Sequence, residues 1–238
     1  MKNHSRHFVA ATCALAAFSP VEMMAQKQPN FVIIVADDMG YGDVGIYGNE
    51  YIKTPNIDQM AREGMMFTDF HSNGSVSSPT RCGLLTGRYQ QRAGLEKVLL
   101  VPRDDKDKEV GLQSEEITFA KILGDNGYRT ALIGKWHLGY FQGVTPISRG
   151  FDRSLNAPFG GYYFSSDKSL KKNKKERTNQ RNLYLNDEEI GFDDDRLPEN
   201  WYSTHLWTDF GLKFIDEAIE EKQPFFWYLA HNAAHFPL

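Results

Sequence analysis

The chain has 238 residues, is 41% apolar and carries a formal charge of −4. That is enough for one sizeable α/β core and excludes two independent domains of ordinary size. The mild acidity argues against a general nucleic-acid binder, which carries a basic face, and two cysteines, Cys13 and Cys82, exclude a disulfide framework.

Residues 1–25 read as a secretory signal peptide. Lys2 and Arg6 make a basic start, Phe8 to Phe18 is an apolar run too short to span a bilayer, and Ala25 offers a small residue before the cut. The mature domain then runs from residue 26 to 238, and Cys13 is removed with the leader. No later segment is apolar enough for a membrane helix, so neither a membrane nor a nucleic acid is an expected partner.

Phe31 to Ala36 (FVIIVA) is a continuous β-branched run, expected as a buried strand. Thr54-Pro55 opens a helix with Ile57, Met60 and Ala61 on its apolar side, closed by Gly64. Met66 to Phe70 reads as a strand. Ser78 is placed as N-cap, with Pro79 first in a short helix. A helix near Glu116 to Leu123 ends at Gly124, and Thr130 to Ile133 is the next strand. A helix from Leu206 to Glu220 repeats Leu206, Phe210, Phe214 and Ala218 every four residues. Phe225 to Ala230 (FFWYLA) is a further buried strand. There are no internal repeats. Strands alternating with helices predict an α/β domain with a parallel or mixed sheet. Lys168 to Arg181 holds seven basic residues, read as a solvated insertion, with a substrate-facing role as the second reading. "LYLNDEEIGF" is the hairpin that follows it.

Chemistry-bearing residues cluster at strand ends, where open α/β sheets place their ligand crevice. Asp37 and Asp38 follow the first strand. Alone, they read equally as a pair of hard oxygen ligands or as a turn in which one carboxylate caps the next segment. Ser77 precedes Pro79 at a helix start that favours anions, and Arg81 lies one turn on, within reach of the same point. An unmodified serine needs a base to become a nucleophile, and no Gly-x-Ser-x-Gly elbow is present. Lys135 and His137 leave the strand after Ile133 as a cation beside an acid/base candidate, or as a surface lysine and a satisfied histidine. His235 follows the last strand, where a single histidine is more often structural.

Taken together, these stretches resemble the formylglycine-dependent (type I) sulfatases. "SSPTRCGLLTGR" resembles the family's first signature and "GYRTALIGKWHLG" its second. "ADDMGYGDVGIYG", "TPNIDQMAREG", "RGFD" and "PFFWYLAHNAAHFPL" follow in the expected order. The resemblance implies a sulfatase/alkaline-phosphatase-like mixed sheet flanked by helices, and hydrolysis of sulfate monoesters on carbohydrates or aryl sulfates. It implies that Ser77 is oxidised to formylglycine, whose hydrate attacks sulfur and then expels sulfate. The segment Ser78 to Thr86 would guide a sulfatase-maturating enzyme. Asp37, Asp38 and modified Ser77 would bind Ca²⁺ in preference to Mg²⁺. Arg81 and Lys135 would hold the modified side chain and sulfate oxygens, His137 would act as base, and His235 would bind sulfate and protonate the leaving oxygen.

A serine rather than a cysteine at 77 implies a bacterial, exported member, periplasmic or secreted. Ala234 stands where the family commonly has proline. Family members continue into an Asp-Asn or Asp-His metal pair, a further sulfate-binding lysine and a C-terminal subdomain, so this chain is expected to be an N-terminal portion ending before that subdomain. A phosphate or phosphonate monoesterase of the same superfamily and an inactive truncated remnant are the competing readings.

Overall fold

The computed structural model describes residues 28–100, 110–139, 143–158 and 183–235. The leader at 1–25 and the lysine-rich stretch from Lys168 to Arg181 lie outside them. In chain order the elements are β1 (Phe31–Val35), α1 (Pro55–Glu63), α2 (Ser77–Thr86), α3 (Phe119–Asp125), β2 (Arg129–Lys135), β3 (Arg153–Ala157), β4 (Leu183–Leu185), β5 (Glu188–Ile190), α4 (Ser203–Glu220) and β6 (Phe225–Ala230).

The strands form one six-stranded sheet in the order β1-β6-β2-β3-β4-β5. β1, β6, β2 and β3 run parallel, with Phe226 opposite both Phe31 and Thr130, while β4 and β5 add an antiparallel hairpin. β6 sits between β1 and β2 and every one of its residues is buried, which is why FFWYLA shows no alternation. On one face Leu132, Phe226 and Tyr228 pack with Cys82 and Leu85 of α2 and with Ala120 and Leu123 of α3. On the other, Ala131, Ile133, Phe225, Trp227 and Leu229 pack against Leu206, Trp207, Phe214 and Ala218 of α4. Gly211 makes that contact possible, since a Cβ there would fall 1.9 Å from the Trp227 ring.

Several sequence expectations need correction. FVIIVA is not buried throughout: β1 is an edge strand, with Phe31, Ile33 and Val35 turned inward while Val32 and Ile34 are 46% and 57% exposed. No element among the described residues covers its outer side. Met66 to Phe70 is not a strand. It has strand-like residues but pairs with no strand among the described residues, and Met65, Phe67 and Phe70 are exposed. α1 forms as expected, but Ile57 and Met60 face solvent. The α3 helix starts at Phe119 rather than near Glu116, because Thr118 is its N-cap and accepts the Lys121 amide at 3.1 Å.

The LYLNDEEIGF hairpin is present as β4 and β5. β3 was not foreseen. Its buried interior includes Ser154 and Asn156, and the Ser154 amide is met by the Asn186 side chain at 2.9 Å.

Candidate active site

β1, β2 and β6 are parallel, so their C-terminal ends open on one edge, and backbone pairing continues past them. The His231 amide donates to Val35 O at 2.9 Å and the Asp37 amide to Ala233 O at 3.0 Å. This brings the loop after β6 against Asp37 and Asp38. Gly134, at φ 109°, allows β2 to approach β6 just before Lys135. A Cβ there would lie 1.9 Å from Ala230 O, so only glycine fits.

At this edge Asp37, Arg81 and Lys135 are all buried. Arg81 spreads its guanidinium over four partners: Nε donates to Ser77 Oγ at 2.9 Å, one terminal nitrogen donates to Lys135 O at 3.1 Å and lies 3.5 Å from the Tyr228 hydroxyl, and the other lies 3.2 Å from Asp37 Oδ1. Lys135 Nζ donates to Asp37 Oδ2 at 2.5 Å. Burial alone would raise the Asp37 pKa, but the Arg81 and Lys135 charges outweigh it and hold the carboxyl below its usual range. Burial and the neighbouring Arg81 charge lower the Lys135 pKa, against the pull of Asp37 and Asp38. Two buried cations face one buried anion, with the exposed Asp38 carboxylate beside them at the rim, and the guanidinium and ammonium are the donors suited to an oxyanion.

Ser78 does not cap the helix. The N-cap is Val76, which puts Ser77 first and Pro79 third in α2. The Ser78 hydroxyl instead accepts the Leu99 amide at 3.0 Å, and Leu99 O lies 2.9 Å from His137 Nε2. His137 is buried at a left-handed φ of 57°. Burial first, then the Lys135 charge, push its pKa down to about 3, so the ring is neutral near pH 7. His235 Nε2 lies 3.7 Å from Asp38 Oδ2, at the more exposed rim. Of the seven residues singled out in the sequence, Asp37, Asp38, Lys135, His137 and His235 end or follow β1, β2 and β6, and Ser77 and Arg81 on the first turns of α2 join them through the Arg81 contacts.

Sequence reasoning missed Tyr228, whose hydroxyl lies 3.5 Å from Arg81, and the Ser78–Leu99 link. Periodicity marks Tyr228 only as core, and nothing local announces a contact 21 residues away. Asn232 serves the core, accepting Trp207 Nε1 at 3.1 Å.

For a divalent cation, the Asp37 and Asp38 carboxylates and the Ser77 hydroxyl are hard oxygen donors of the right kind. They fall short in number. Ca²⁺ takes about six to eight oxygens, both Asp37 oxygens already face cations, and no group of three or more His, Cys, Asp or Glu is placed to hold a metal among the described residues. The rest of a coordination shell would come from water or from donors outside the described residues.

The sulfatase family model matches residues 29–238. N-acetylgalactosamine-6-sulfatase of Rattus norvegicus is 34% identical over 235 residues, covering 94% of this chain and 43% of that protein. Arylsulfatase G of Canis lupus familiaris is 34% identical over 245 residues, covering 97% and 45%. Among solved structures, the crystal structure of Ps i-CgsB matches with a TM-score of 0.76 at 35% identity, over 88% of this chain and 46% of its own. The same values hold for its complex with k-i-k-neocarrahexaose. The chain therefore spans less than half the length of these relatives. With the family model extending from the first strand through the site, the chain belongs to the sulfatase family.

Proposed function

We propose that this chain is the N-terminal part of a sulfuric ester hydrolase that cleaves sulfate monoesters of carbohydrates, with Ser77 as the residue converted to formylglycine. The observation that carries this reading is the hold of one side chain, Arg81, on both Ser77 and Asp37, with the buried Lys135 cation on the other oxygen of that carboxylate. Residues 26–238 form part of one catalytic domain. The leader directs the chain to the periplasm or beyond, and a sulfatase-maturating enzyme acts on Ser77.

When formed, the hydrated aldehyde supplies a hydroxyl able to attack sulfur; Asp37, Asp38 and residue 77 would contribute oxygen ligands to a Ca²⁺ ion, which would supply Lewis-acid chemistry when bound. Arg81 fixes the residue-77 side chain through its Nε and balances oxyanion charge with its fork. Lys135 adds a second positive charge and, through Asp37, fixes the orientation of that carboxylate. His137, neutral and buried, takes a proton at its basic ring nitrogen. His235, at the rim beside Asp38, donates a proton to the departing alcohol oxygen. Carbohydrate is the preferred substrate class because one relative is named for a sulfated amino sugar and a structural neighbour was solved with a neocarrahexaose.

The test is parallel turnover of an aryl sulfate, an aryl phosphate and a panel of sulfated sugars by the chain co-produced with a maturating enzyme. Sulfate release outpacing phosphate release supports the proposal. Faster phosphate release would replace it with a phosphomonoesterase, and absence of turnover with an unmodified Ser77 would replace it with an inactive remnant.

A further inference from the structure

Ser78 is fully buried at the second position of α2. Shut off from solvent, its hydroxyl accepts the amide of Leu99 at 3.0 Å. Leu99 is itself anchored: its side chain is buried in the cluster that includes Cys82 and Leu85. The carbonyl of the same residue lies 2.9 Å from His137 Nε2. One residue's backbone thus joins the start of α2 to the imidazole that follows β2.

The chemistry of that contact is one-sided. A carbonyl oxygen has lone pairs and no proton, so Nε2 must carry the hydrogen. A neutral imidazole holds one proton, and with Nε2–H in place the ring lone pair belongs to Nδ1. In the other tautomer, the Nε2 lone pair would face the Leu99 carbonyl lone pairs inside a buried site, where unsatisfied polar groups are costly.

We infer that Ser78 is a positioning residue which, through the backbone of Leu99, fixes His137 in the Nε2–H tautomer and so makes Nδ1 the basic atom. The catalytic meaning of this tautomer rests on the reading of His137 as a base; the tautomer itself does not.

The test uses the full chain with ¹⁵N-labelled histidine and long-range ¹H–¹⁵N correlation at neutral pH, with His137 assigned by its loss in His137→Gln. The wild type is expected to show a pyrrole-like Nε2 and a pyridine-like Nδ1. Ser78→Ala leaves α2 a good helix former, and Ser78→Cys keeps nearly the same volume with a weak acceptor. Both should shift the tautomer ratio toward Nδ1–H by about tenfold, the scale of one net hydrogen bond. Ser78→Thr, which keeps a hydroxyl, should retain the wild-type ratio.

An Nδ1–H signal in the wild type, or wild-type ratios in both Ser78→Ala and Ser78→Cys, would overturn the inference. In the matured enzyme the loss should fall on kcat with KM held. A shifted tautomer with unchanged kcat would uphold the role of Ser78 and count against His137 as the base.

Discussion

Arg81 joins Ser77 to Asp37: its Nε donates to the serine hydroxyl at 2.9 Å while a terminal nitrogen lies 3.2 Å from the carboxylate. Ser77 and Arg81 are four apart on α2, so they share a helix face, and the guanidinium then spans the gap to the loop after β1. Asp37 thereby separates two buried cations. Asp37→Ala leaves Arg81 and Lys135 uncompensated and is expected to cost about 3–5 kcal/mol. Arg81→Met leaves the neutral Asp37–Lys135 pair and should cost less. Urea midpoints of the two variants, at unchanged slope, check the order; the reverse order would contradict the charge reading.

The buried Arg81 and Lys135 cations predict affinity for inorganic sulfate even before residue 77 is modified. Sulfate also stabilises proteins generally by exclusion from their surface, so the comparison is with Lys135→Met. Millimolar sulfate should raise the melting temperature of the wild type more than that of the variant. Equal rises would mean that the site contributes nothing to the binding.

His137 makes stability depend on pH in a defined window. Its folded pKa of about 3 lies below the ordinary 6.5, so between these values the unfolded chain takes up a proton that the folded chain refuses. The contribution is complete above pH 6.5 and is lost as pH falls toward 3, at about 1.4 kcal/mol per pH unit within the window. In His137→Gln, whose amide can still donate to Leu99 O, the slope of unfolding free energy between pH 6 and pH 4.5 should be shallower by about one proton. Parallel slopes would show that His137 titrates normally.

The sequence places the candidate residues Asp37, Lys135 and His235 because each follows an apolar run that forms a strand, whereas Ser77 and Arg81 follow none. FVIIVA leads to Asp37, TALIG to Lys135 and FFWYLA to the loop of His235. The fold was less legible where burial depends on partners distant in sequence. β1 looks like a buried strand locally, yet it lies at a sheet edge. Met66 to Phe70 has strand residues without a strand beside it among the described residues. β3 hides because Ser154 and Asn156 are polar and buried, satisfied only once the β4–β5 hairpin brings Asn186 to them. Ser78 was placed as an N-cap because Ser-Pro is a strong local signal; its contact with Leu99 is tertiary, and no local pattern encodes it.

Cys82 lies five residues beyond Ser77, fully buried, with its thiol pushed up to about 11 by burial and then by Glu116. It should resist iodoacetamide at pH 8 in the folded chain and react fully in denaturant. Rapid alkylation under native conditions would mean that α2 opens from the sheet.

The most direct measurement is the mass of the peptide carrying Ser77 after co-production with a serine-type sulfatase-maturating enzyme. A species lighter than the serine peptide by two hydrogen atoms and reactive toward a carbonyl-directed hydrazide is the expected result, and Ser77→Ala should abolish it. A peptide that keeps the full serine mass, while a control sulfatase in the same cells is converted, would contradict the role assigned to Ser77.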